Sequence, residues 1–172
     1  EHKWMVAFRD KYGIRPLTMG SKVCPRWKDH VFASENCMYG LLKFEHEWDV
    51  GNWEVVFVDS KWKVLREKIV DEECIPDAFE YFYFARPDTT INGVHVHRAR
   101  QRMGENLWKQ WCKVHPGIVP DVVIPVPSTS NPIASSLAHQ LSELTRTNVR
   151  FTEGIFRNSH IGRTFIMPEQ KD

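Results

Sequence analysis

The sequence predicts a mixed fold, α+β in its first part and α/β in its last. Three observations lead there. Residues 4–70 are dominated by short β-prone runs, of which Trp53–Val58 (WEVVFV) is the richest in β-branched and aromatic residues. Val96, Ala99, Met103, Leu107, Trp111 and Val114 fall at spacings of three and four, as on one apolar face of a helix. The order strand, loop, helix, strand over residues 121–151 is the opening of a parallel sheet.

In chain order, Trp4–Arg9 reads as a strand, Lys11-Tyr12-Gly13 as a turn and Ile14–Met19 as a second strand, together a hairpin. His30–Ala33 is another short strand. Trp53–Val58 turns at Asp59-Ser60-Lys61 into Trp62–Val70. Asp71-Glu72-Glu73 reads as an acidic hinge, and Phe79–Ala85 (FEYFYFA) as an aromatic strand ended by Arg86-Pro87-Asp88. Residues 93–114 form the helix, stopped by Pro116-Gly117. Asp121–Val126 is a continuous apolar run, as in a strand buried on both faces. Pro132 suits a first helical position, and Ile133, Leu137, Leu141 and Leu144 mark the stripe of the helix that follows. Val149–Phe151 begins the next strand. One such unit is too little for a stable doubly wound domain.

Composition narrows the function classes. The chain has 172 residues, a formal net charge of +1 and 42% hydrophobic residues, which excludes disorder and gives no bulk field for nucleic acid or an anionic membrane. Mean hydropathy is −0.44, and no apolar run reaches membrane-spanning length. The four cysteines are far apart without a CxxC pair, as reduced thiols of a cytoplasmic protein. Seven tryptophans predict aromatic packing. The ends, Glu1-His2-Lys3-Trp4 and Glu169-Gln170-Lys171-Asp172, suggest a piece of a longer polypeptide.

Two segments carry chemistry. Pro127-Ser128-Thr129-Ser130-Asn131 sits between a strand and a helix N-terminus, where backbone N–H groups attract anions and hydroxyls can serve phosphate oxygens or hydrated Mg²⁺. The plainer alternative is that Ser130 or Asn131 is a helix cap. No P-loop or dinucleotide fingerprint is present. Arg157-Asn158-Ser159-His160-Ile161-Gly162-Arg163-Thr164 joins two arginines suited to phosphate with a glycine that permits motion, or else is a solvated loop. Cys37 reads as a buried structural thiol. His95 and His97 are two apart and cannot share a metal from one helix. Glu45 and Glu47 around His46 read as a solvated strand or turn.

Several longer motifs point to a family. Met5-Val6-Ala7-Phe8-Arg9-Asp10, Gly13-Ile14-Arg15-Pro16-Leu17, Ala33-Ser34-Glu35, Phe79-Glu80-Tyr81 with Tyr83–Asp88, Asp121–Pro127 and Gly162-Arg163-Thr164-Phe165-Ile166-Met167-Pro168 come in an order that resembles amidophosphoribosyltransferase. The resemblance covers nearly the whole chain. It implies an internal segment of a two-domain enzyme of purine biosynthesis. There a class II glutaminase domain releases ammonia from glutamine, and a type I phosphoribosyltransferase domain directs it onto C1 of PRPP with loss of pyrophosphate. By this resemblance residues 1–75 are the later part of an antiparallel β glutaminase sandwich. Residues 76–118 are a connecting strand and helix. Residues 119–172 are the first strand–helix unit of the transferase with its flexible loop.

By position, Ser130 matches the serine that helps hold the Mg²⁺ of PRPP. Arg157, Asn158, His160, Gly162 and Arg163 match the lid over PRPP, while Arg15 and Arg86 are structural or interface residues. The nucleophilic cysteine lies upstream in the family, and the acidic pair and phosphate loop lie downstream, so the segment alone is expected to be inactive. A homo-oligomer is implied. Ser159-His160 replace an arginine and a tyrosine of the family loop, and Ser128 replaces an acidic residue. These departures leave open a catalytically dead relative that serves as a subunit-contact or nucleotide-sensing module. The residues without the resemblance also allow a mixed α/β interaction domain with exposed tryptophans.

Overall fold

A computed structural model describes residues 4–158 and 160. The chain divides into two compact units, Glu1–Arg100 and Gln101–Asp172.

In the first unit, the alternation of Glu54–Val58 (β5) turns Glu54, Val56 and Val58 inward. This strand is the centre of an antiparallel sheet with Met5–Phe8 (β1) on one side and Val64–Lys68 (β6) on the other. Thr18–Val23 (β2) centres a second antiparallel sheet, between Lys28–Ala33 (β3) and Glu45–Asp49 (β4). Met19, Val50 and Val56 form the core between the sheets, with Leu17, Phe32, Trp48 and Val64 packed on it. The expected hairpin of residues 4–19 is therefore wrong. β1 pairs with β5 at Met5↔Val58 through Phe8↔Val55, and β2 belongs to the other sheet. The turn at residues 10–13 carries the chain from one sheet to the other; Asp10 accepts from the Tyr12 and Ile14 amides at 2.9 and 3.0 Å.

Tyr39–Leu42 (α1) follows a 3-10 turn at Asn36–Met38. Tyr39 is buried and its hydroxyl donates to the Thr18 carbonyl at 2.9 Å. Glu35 is a tie point: its Oε2 accepts from Thr89 Oγ1 at 2.6 Å and from the Arg86 amide at 2.9 Å. Cys37 is half-buried rather than buried. Glu45–Asp49 is a strand, largely solvated as expected, in which Glu47 pairs with Lys28 at 2.6 Å and accepts from Ser21. The Lys28 ammonium and then the Ser21 hydroxyl hold the Glu47 carboxyl below its usual range. A depressed carboxylate stabilises the fold above its unfolded value, about pH 4, and that contribution fades as acid protonates it. Lys28→Met is expected to flatten the acid limb of the stability–pH curve below about pH 5, by a fraction of a kcal/mol because the pair is solvent-screened. Urea melts at pH 7 and pH 4 check this; an unchanged acid slope would contradict it.

Phe79–Ala85 is not a strand. Glu80–Phe84 winds as a π-helical turn, with the Ala85 amide donating to Glu80 O at 2.9 Å. The β-propensity of the aromatics yields to their mutual packing: Phe79 meets Phe82 at 4.7 Å and Tyr83 meets Phe84 at 5.4 Å between ring centroids. Asp77 starts the turn by accepting from the Phe79 amide at 3.0 Å. Arg100 closes it, fully buried and donating to Tyr81 O at 2.8 Å and Ala85 O at 2.7 Å. Burial lowers the pKa of that guanidinium. Thr90–Ile91 (β7) and Val94–His95 (β8) form a small ribbon through Asn92-Gly93, both at positive φ. His95 thus lies on a strand, and the helix begins at Val96.

Val96–Val114 (α2) is the expected long helix, but its buried face runs through Val96, Arg100 and Gly104, with Trp108 and Trp111 half-buried; Leu107 and Val114 are exposed. In the second unit Val122–Val123 (β9) pairs parallel with Arg150–Phe151 (β10). Asn131–Thr145 (α3) connects them and packs Ala138 and Leu141 on Val149, Trp108, Trp111 and Val123. Leu144 is exposed instead of buried, and β9 is shorter than expected: Ile124 and Val126 are exposed rather than sandwiched between two layers. None of the seven tryptophans is fully buried; Trp4, Trp27 and Trp62 are exposed. No helix among the described residues is long and apolar enough to cross a membrane.

Candidate functional site

Adjacent parallel strands leave a crevice beyond their carboxyl ends. In the second unit the segment after β9 is residues 124–131, and the segment after β10 is residues 152–157. Their convergence makes an open cleft of about 470 Å³ lined by Pro125, Pro127, Ser128, Asn131, Glu153, Ile155, Phe156 and Arg157. Ser128 and Asn131 of the hydroxyl-rich loop and the first arginine of the basic segment, read separately in the sequence, thus face one space, whereas Ser130 lines a separate groove with Leu107, Ile133 and Leu137.

Local structure explains the approach. The ladder continues past β10, with the Thr152 amide donating to Val123 O at 3.2 Å. Gly154 lies directly on Ile124; a Cβ there would sit 3.1 Å from two of its side-chain carbons. Asn131 Nδ2 donates to Glu153 Oε1 at 2.9 Å and ties the two segments together. Asn131 Oδ1 is buried with no hydrogen-bond partner. The Pro127–Ser128 peptide is cis.

Ser130 stands at the N-cap position of α3, yet its hydroxyl makes no cap bond and donates back to Val126 O. Pro132 sits at the start of the helix, as expected. Arg157, Asn158 and His160 are exposed, and the His160 amide donates to Asn158 Oδ1 at 2.9 Å. Gly162 and Arg163 lie outside the described residues. Glu153 and Gly154 were not singled out from sequence. Their signal was positional: both directly follow the second of two parallel strands.

The Mg²⁺ implied by the resemblance can be tested against these groups. Ser130 lines a groove apart from the cleft, and the cleft's own hard oxygens are the Ser128 hydroxyl and the Glu153 carboxylate. Hard oxygens of this kind fit a dication that keeps most of its shell as water and phosphate oxygen. Among the described residues no group of three or more His, Cys, Asp or Glu is placed to hold a metal alone.

No family model matches the chain. Individual proteins do. It is 42% identical over 171 residues to amidophosphoribosyltransferase of Haemophilus influenzae, covering 96% of this chain and 32% of that protein. The Escherichia coli K12 amidophosphoribosyltransferase is 36% identical over 169 residues, covering 97% and 32%. The Saccharomyces cerevisiae protein of the same name is 36% identical over 173 residues, covering 98% and 33%. Among solved structures, the glutamine PRPP amidotransferase from B. subtilis complexed with ADP and GMP superposes with a TM-score of 0.76 at 28% identity, over 97% of this chain and 33% of that one. A structure described as the allosteric regulatory enzyme of purine biosynthesis gives 0.75 at 28% identity, over the same shares. The chain is a homologue of amidophosphoribosyltransferases and spans about a third of the length of these relatives.

Proposed function

We propose that this chain, homologous to a third of amidophosphoribosyltransferase, contributes the pyrophosphate-facing part of the PRPP site in an enzyme that transfers glutamine-derived ammonia to C1 of PRPP, giving phosphoribosylamine and pyrophosphate. The observation that carries this reading is the cleft at the carboxyl ends of β9 and β10, where Ser128 and Asn131 meet Arg157. A guanidinium and a helix N-terminus suit a polyanion. Glu153 in the cleft, with Ser130 in the adjoining loop as the resemblance implies, would hold a Mg²⁺ that neutralises the departing pyrophosphate. Asn158, His160, Gly162 and Arg163 would belong to the lid that excludes water.

The chain alone would be inactive, because the glutaminase nucleophile and the groups for the ribose 5′-phosphate would come from the rest of the protein. A homo-oligomer is what the resemblance implies for the whole protein. The cytoplasm as its location is supported by four free cysteines.

One observation favours the second reading, a relative without turnover: Glu153 puts a carboxylate inside the cleft, where a polyanion is repelled unless a cation intervenes. A single assay separates the two. The full-length protein is given glutamine, PRPP and Mg²⁺, and phosphoribosylamine is measured. The enzyme reading expects turnover, with Arg157→Met weakening PRPP roughly ten- to a hundredfold and Ser130→Ala lowering the rate. No turnover from a folded protein supports the contact or nucleotide-sensing module.

A further inference from the structure

The first unit carries a cleft that the proposed function does not use. It lies at the open end between the two sheets, has a volume of about 460 Å³, and is lined by Trp4, Met5, His30, Val58, Asp59, Ser60 and Trp62. Ligand pockets are commonly of this size, with apolar and aromatic walls and few polar groups.

Two features of the lining are unexplained by folding. The first is Trp62. It occupies the β5–β6 turn at φ 64°, a left-handed conformation that suits glycine and is uncommon for a bulky residue. The turn is well held: Asp59 Oδ1 accepts from the Lys61 and Lys63 amides at 2.8 and 2.9 Å, and the Trp62 amide donates to Asp59 O at 3.0 Å. The indole that occupies this unfavourable backbone position is nonetheless 45% exposed. Trp4, also exposed, lines the same cleft.

The second is His30. Its Nε2 lies 3.2 Å from the Trp62 carbonyl, which can only accept, so Nε2 carries the hydrogen. In the neutral ring Nδ1 is then an acceptor, and it is buried with no partner. The ring of His30 lies 6.4 Å from that of Trp62. A buried unpaired acceptor beside exposed indoles lacks one thing, a donor on a flat apolar body.

We infer that this cleft binds a planar nitrogen heteroaromatic ring with an N–H donor, its face on the tryptophans, and that the His30 ring turns to bring its shielded Nδ1 to that N–H. Stacking on indole is tolerant of ring identity, and the His30 acceptor selects for the donor.

The test uses indole as probe and benzothiophene, its counterpart without the N–H, as control. Each is titrated into the protein while the His30 ring nitrogens are followed by ¹⁵N NMR, assigned by their loss in His30→Phe. Saturable indole binding with a shift at Nδ1, and benzothiophene about tenfold weaker, is the expected result. His30→Phe should abolish that discrimination. Trp62→Gly, which relieves the left-handed turn, should keep or raise the Tm and lose indole binding. Absence of a saturable shift, equal binding of the two probes, or undiminished binding by Trp62→Gly would each overturn the inference.

Discussion

Arg9→Met lowers the stability of the first unit by about 3–5 kcal/mol. The guanidinium is almost wholly buried and donates to Gly13 O at 2.6 Å, Arg15 O at 2.8 Å, Val50 O at 2.9 Å and Asn92 Oδ1 at 3.3 Å. These acceptors lie in the turn after β1, in the segment before β5 and in the β7–β8 ribbon. One side chain therefore ties the end of the β1–β5 pair to the β7–β8 ribbon, with which it shares no strand pairing. Methionine fills much of the volume but leaves the buried carbonyls without donors, which is the expensive half of a lost hydrogen bond. Arg9→Lys should recover little, because an ammonium is a point charge and cannot span four acceptors around a planar fork. Urea denaturation of the two variants, followed by far-UV circular dichroism, reads the loss. A change below about 1 kcal/mol for Arg9→Met would show that the acceptors find water instead.

The same residue shows where sequence reasoning stops. Arg9 belongs to the Phe8-Arg9-Asp10 motif that helped to suggest the family, but its role depends on Val50 and Asn92, which lie far along the chain. The periodic signals were legible: β5 and β6, the long helix, and the parallel strand–helix–strand order of the last part all appear where the residue spacing put them. Pairing was less so. β1 and β2 are neighbours in sequence, and the short turn between them looked like a hairpin; the core formed by Met19 and Val56 instead places them in facing sheets. The segment 79–85 is strand-like in sequence because aromatic residues favour strands on average. Here Asp77 accepts from the Phe79 amide and Arg100 caps the carbonyls, and both contacts favour a helical turn. The Asn92-Gly93 dipeptide carries the signature of the β7–β8 turn.

At the candidate site, the two chemical segments were legible singly and their convergence was not. Composition marks Ser128–Asn131 and Arg157 as phosphate-friendly. What brings them together is Gly154 lying on Ile124 and Asn131 bonded to Glu153. Neither contact has a periodic signature. The general rule that ligands bind beyond the carboxyl ends of parallel strands supplies the missing step, and it needs only the strand order that the sequence already provided.

In the second unit the largest loss is expected from Gly104→Val, about 3 kcal/mol. Glycine in the middle of a helix costs roughly 1 kcal/mol relative to alanine, so its place in α2 needs a packing reason. Gly104 is buried, and a Cβ built on it would meet the Ile133 carbonyl and come within 2.9 Å of Ser136 Cβ. Those atoms include the backbone of α3, which cannot rotate away as a side chain can. α2 and α3 must therefore separate, and the core formed by Ala138, Leu141 and Trp108 loosens with them. Gly104→Ala sets the same contact against a gain in helix propensity, so its loss should be smaller but still positive. Glu105→Ala, on the exposed side of the same helix, should change stability by less than about 0.5 kcal/mol. Hydrogen exchange at the amides of α3 reads the effect within this unit alone. Unchanged protection in Gly104→Val would mean that the helices are not in contact as described. The consequence reaches the site, since α3 begins at Asn131, the residue bonded to Glu153 across the cleft. Moving α3 away from α2 pulls on that bond, so under the proposed function Gly104→Val should weaken PRPP binding by the full-length protein, although residue 104 does not line the cleft.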